Sequence, residues 1–145
     1  MCNFVTSFAT HPSQQKQFSL QQSGTMTPLW NSINEEPFDI KYIYLGSIYP
    51  KTIKGPYRHT IRSGYLYLLT GEILLTHQIR DGFCEDYLLP GKRIYLNNGT
   101  GYCLIGLGCS VSTFLNICDH PWQPGDRETE VPDFSSYDFK QWGIA

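Results

Sequence analysis

The side chains of this 145-residue chain best suited to moving protons are its four histidines and ten tyrosines, and two of them fall together in Tyr57-Arg58-His59. Residues two apart on a strand point to the same side. Tyr57 and His59 therefore share a face, and Arg58 takes the other. An imidazole with its ordinary pKa of about 6.5 can accept a proton at neutral pH, which makes His59 a candidate general base. A phenol, with a pKa of about 10, is a poor base there unless a neighbouring cation lowers it. Tyr57 fits better as a proton partner. His77 lies on an apolar face with Ile73, Leu75 and Ile79, where a histidine reads first as a satisfied core residue and second as a binding one. The cysteines, Cys2, Cys84, Cys103, Cys109 and Cys118, are odd in number and lack CxxC spacing, so neither a disulfide framework nor a zinc site is expected. Cys103, Cys109 and Cys118 sit among apolar neighbours and are expected to be reduced structural thiols.

What must position these groups is a series of short strands. Aromatic and β-branched runs cover Ile40–Ile48, Gly64–Thr70, Glu72–Arg80, Glu85–Leu89, Arg93–Leu96, Gly101–Leu107 and Val111–Cys118, with a further strand ending at His59. Turn signals separate them: Tyr49-Pro50, Thr70-Gly71, Arg80-Asp81-Gly82, Leu89-Pro90-Gly91, Asn97-Asn98-Gly99 and Gly108. Strands at such spacing predict an all-β sandwich or barrel. In Glu72–Arg80 the face of Glu72, Leu74, Thr76, Gln78 and Arg80 is mostly polar and suits the outside.

Residues 1–36 are rich in Gln and Ser and cannot bury much surface alone. They predict an arm that is flexible, or ordered only by docking on the barrel or on a second subunit. The domain proper is expected over residues 37–145, with the tail after His120 wrapping the barrel as coil and a helical turn near Tyr137–Trp142. The net charge of −2 and the scattered basic residues argue against nucleic acid or an anionic membrane as a partner. A small-molecule ligand is the expectation. No run approaches roughly 18 apolar residues, and the N-terminus lacks the apolar centre of a signal peptide, so a cytoplasmic location is expected.

Two blocks carry a resemblance. The stretch Lys41 to His59, ending Ile53-Lys54-Gly55-Pro56-Tyr57-Arg58-His59, is similar to the opening of the cupin barrel. It looks in particular like the I-K-G-W-H-x-H or L-R-G-L-H-x-Q element of the branch related to dTDP-4-dehydrorhamnose 3,5-epimerase. Leu96 to Gly108, followed by Phe114 to Pro121, resembles that branch's I-P-P-G-x-x-N-G-F-x-G-L-G and N-C-A-T-x-P. Gly71 closes the hairpin between the blocks, and their order and spacing span about residues 40 to 130.

The resemblance implies a double-stranded β-helix, the cupin jelly-roll barrel, with a pocket between its sheets that takes a nucleotide sugar. It also implies a homodimer. Metal-binding cupins place four ligands where this chain has Tyr57, His59, Gly64 and Tyr102, so a metal-free barrel without a cofactor is expected. The branch's base falls at Tyr57 and its tyrosine acid at Asn116, so the usual pair is replaced. His59 then becomes the expected base for epimerising or isomerising a nucleotide-linked 4-keto sugar, with Tyr57 or Tyr102 as proton partner. Lys54 stands where the branch has an arginine, as an anion anchor or an ordinary strand lysine, and His77 and Asn116 complete the expected binding set. Trp30, Trp122 and Trp142 are candidates to stack on a base or sugar. The alternatives are a binding module that has lost its acid–base pair and a structural barrel, the latter disfavoured by so many polar residues facing inward.

Overall fold

Alternating side chains on a half-buried sheet favour the β-branched and aromatic residues that fill these runs, and the runs form strands. The computed structural model describes residues 5–7, 29 and 38–144. Its strands are β1 (Val5–Ser7), β2 (Tyr42–Ile48), β3 (Ile53–His59), β4 (Gly64–Thr70), β5 (Ile73–Ile79), β6 (Gly82–Leu88), β7 (Lys92–Leu96), β8 (Gly101–Gly106), β9 (Ser112–Cys118) and β10 (Thr129–Glu130), followed by a 3-10 turn at Phe139–Trp142. They make two antiparallel sheets, ordered β1-β7-β4-β9-β2 and β10-β3-β8-β5-β6. Between the sheets lie Ile48, Leu66, Leu68, Ile73, Leu75, Leu88, Ile94, Leu104 and Phe114. This is the expected all-β jelly roll.

One irregularity decides what faces the interior. Lys54 pairs with Leu104 and Tyr57 with Tyr102, so β3 has one residue more than β8 between those two points. Gly55, at φ +115°, and Pro56, which has no N–H to give the ladder, occupy this bulge. An uninterrupted strand would put Lys54 and Tyr57 on opposite faces. The extra residue turns Tyr57 and His59 inward on the same side as Lys54. At the β4–β5 hairpin Gly71 takes φ +83°, as a tight turn there requires.

The outer face of β5 differs from expectation. Leu74 and Thr76 are fully buried, because the tail lays Phe134 and Tyr137 over them and builds a second apolar cluster with Cys103 and Ile105. Tyr137 donates to Glu85 Oε1 at 2.6 Å and accepts from Trp142 Nε1 at 2.8 Å, which fixes the 3-10 turn to the barrel. Most of the arm read over residues 1–36 lies outside the described residues. Val5–Ser7 are an exception, pairing with Lys92–Ile94 at the edge of the first sheet.

Candidate functional site

His59 ends β3, and its neighbours come from three directions. Thr129 of β10 is its register partner, which brings Glu128 alongside, and Thr60 donates from its backbone and its hydroxyl to the Glu128 carbonyl at 2.8 and 3.1 Å. Tyr102 of β8, in register with Tyr57, reaches His59 from within the sheet. Arg62 comes from the loop between β3 and β4. That loop is pinned where Ser63 N–H donates to Asp119 Oδ1 at 2.7 Å and Asn98 N–H to Ser63 Oγ at 3.0 Å.

The resulting cluster has a definite hydrogen-bond order. His59 Nδ1 lies 3.1 Å from Glu128 Oε1 and 3.1 Å from Thr129 Oγ1. A carboxylate can only accept, so Nδ1 carries the proton in the tautomer this network assigns. Nε2 is then the acceptor, with Tyr102 Oη at 3.0 Å and Arg62 Nη2 at 2.9 Å. Arg62 Nε also lies 3.1 Å from Glu128 Oε1, and its guanidinium sits 5.7 Å from the Tyr44 ring centre. Glu128 Oε2 is buried without a hydrogen-bond partner among the described residues. It is an acceptor that a ligand hydroxyl could satisfy.

Burial, seconded by the Arg62 charge, pushes the His59 pKa down to about 4, against the opposing pull of Glu128. His59 is therefore neutral at pH 7, with its lone pair toward the interior. Burial raises the Tyr102 pKa far above its ordinary value, so Tyr102 stays a phenol and donates. Burial also pushes Cys118 up to about 11 and Cys103 to about 12, which leaves both as thiols rather than nucleophiles.

Of the residues expected in the site, His59, Tyr57, Tyr102 and Asn116 come together. The Tyr57 ring stacks 6.2 Å from His59 at 18°. His59, Tyr102 and Asn116 line one cavity with Arg62 and Cys118, about 10 Å³ in volume, room for about one water. Asn116 donates to Tyr44 Oη at 2.8 Å. Two expected residues stand apart. Lys54 faces inward but lies at the other end of β3, on the order of 15 Å along the strand from His59. His77 is held 3.1 Å from Asp86 Oδ2 and lines a different cavity of about 80 Å³, with Ile79, Ile94, Tyr95, Leu96 and Asn97. Trp142 packs in the outer apolar cluster under the tail, and Trp122 is exposed. Trp30 lies outside the described residues.

Arg62, Glu128, Thr129 and Tyr44 were not legible as site residues. Only Tyr44 had a signal, its alternation on β2 in register with Asn116. The donors at the four positions of a cupin metal site include one imidazole, already engaged by Glu128, Tyr102 and Arg62, which does not suit a first-row metal. Cys103, Cys109 and Cys118 are free thiols as expected, but only Cys103 and Cys118 are the buried structural thiols read from the sequence; Cys109 is exposed. Cys84 departs from that expectation and is disulfide-bonded.

The sequence matches no protein-family model and no curated protein. Solved structures do resemble it. A dTDP sugar isomerase from Desulfovibrio desulfuricans superposes with a TM-score of 0.71 at 13% identity, covering 83% of this chain and 85% of that one. QdtA, a sugar 3,4-ketoisomerase from Thermoanaerobacterium thermosaccharolyticum in complex with TDP, gives 0.67 at 18% identity over 99% of this chain and 97% of its own. The capsular polysaccharide assembling protein CapF of Staphylococcus aureus gives 0.59 at 14% identity over 68% of this chain, which spans only 30% of CapF. At these identities the likeness shows the fold, the jelly roll expected from the sequence. No helix among the described residues is long and apolar enough to cross a membrane.

Proposed function

We propose that this chain is an epimerase or isomerase of a nucleotide-linked 4-keto sugar, working by proton abstraction without a metal, with His59 as the base. The observation that carries this reading is the order Glu128, His59, Tyr102. A carboxylate fixes Nδ1–H, so Nε2 presents its lone pair beside a phenol that stays protonated. Protons on carbons flanking a keto group are acidic because the charge left behind spreads onto oxygen. His59 takes such a proton, Arg62 or the Tyr102 hydroxyl meets the charge on oxygen, and return of the proton to another carbon or the other face completes the change. QdtA, which shares the fold, is crystallised with TDP, and a mutant of it with TDP-4-keto-6-deoxyglucose; these support the choice of substrate class.

A second reading, a binding barrel without turnover, rests on the closed geometry. Nε2 already has two donors, and the cavity beside it is small. Catalysis requires Arg62 to swing from Nε2 toward the substrate. Incubation with a dTDP-4-keto-6-deoxy sugar in deuterated water separates the two. The enzyme reading expects deuterium at carbons beside the carbonyl, abolished in His59→Asn. Saturable binding by calorimetry with no deuterium uptake by wild type would reject catalysis and leave the binder.

A further inference from the structure

Apart from the His59 cluster, the inner face of the β5–β6 hairpin gathers three chemically different donors. His77 of β5 is the register partner of Cys84 of β6, and Asp86 follows Cys84 by two residues on the same side of its strand. All three are buried. One ligand atom from each lies within 4.8 Å of the other two, and the His77 Nε2 to Asp86 Oδ2 distance is 3.1 Å. Bonds of about 2.0 to 2.3 Å to a tetrahedral ion separate neighbouring ligands by about 3.3 to 3.8 Å, so small side-chain shifts close the set. Imidazole, thiolate and carboxylate together suit a borderline ion such as zinc. A cavity of about 80 Å³ reaches His77, so the imidazole side of the set is open to an entering ion. Cys84 is at present disulfide-bonded, and a disulfide sulfur lacks the thiolate charge that binds the ion.

We propose that His77, Cys84 and Asp86 form a redox-gated site for a zinc-class divalent cation, shut while Cys84 is in its disulfide and opened by a thiol reductant. A dithiol gives two electrons and two protons to the S–S bond. Both protein sulfurs leave as thiols, and the reductant closes into its own disulfide. Cys84 then loses its proton to solvent as the cation takes the thiolate. Tyr102 pairs with both Tyr57 and His77, so the ion sits one strand from the phenol beside His59.

The test uses the full chain, reduced with dithiothreitol, freed of it anaerobically and titrated with Co²⁺ beside the oxidised chain. The reduced chain should take up one Co²⁺ with a sulfur-to-cobalt charge-transfer band, and the oxidised chain none. His77→Ala should weaken uptake at least about tenfold. On the unmutated reduced chain, Zn²⁺ should slow alkylation of Cys84, read by mass spectrometry, and leave the exposed Cys109 unaffected. Absence of the band on reduction, an equal band in the oxidised chain, or Cys84 alkylated at the same rate with and without Zn²⁺ overturns the proposal. None of these readouts depends on sugar chemistry.

Discussion

At His59 two charges compete. Arg62 opposes protonation of the ring and Glu128 favours it, and burial tips the balance so that the pKa falls to about 4. Arg62→Gln removes the lowering charge and leaves the raising one. The His59 pKa should therefore rise, and the acid limb of any deuterium-exchange profile should move to higher pH with it. An NMR titration of the ring protons checks this, and a pKa that stays or falls contradicts the assignment. Stability carries the same sign. The unfolded ring, with a pKa of about 6.5, binds its proton before the folded one does. Stability should thus be full above pH 6.5 and fall as the pH drops toward 4, by at most about 3 kcal/mol from this group. Urea midpoints of wild type and His59→Asn, compared at pH 7 and pH 4, measure that difference. His59 and Tyr57 could be picked out from their shared parity alone. Arg62 could not, since a loop residue has no period to betray its direction.

Among the elements, β3 and the tail contribute most to the site, and they differ in how openly the sequence announces them. Strands β2 and β4 to β9 were legible because alternation and turn residues are local signals. The bulge at Gly55-Pro56 is local too, yet its effect on parity shows only once β8 supplies the register. β10 is two residues long in a Pro- and Gly-containing stretch, and only long-range pairing with β3 makes it a strand. Glu128 was hidden for that reason. Because the tail buries Phe134 against Phe83 and Tyr137, Phe134→Ala should cost about 3 kcal/mol in chemical denaturation. If the tail were loosely held, the loss would be well under 1 kcal/mol.

For the molecule as a whole, the outer face of β2 exposes Ile43 by 53% and Leu45 by 66%, beside the half-buried Leu115 of β9. Adjacent apolar side chains on an exposed sheet face favour association, and we propose a homodimer that uses this surface. Light scattering should give twice the chain mass for wild type and the single mass for Leu45→Glu; a monomeric wild type removes the proposal. Glu128 lies beyond β9, after both sheets have all their long strands. During synthesis from the N-terminus, strands β1 to β9 are thus made before the carboxylate that orients His59. A chain ending at about residue 120 would carry His59 without the carboxylate that fixes its Nδ1–H.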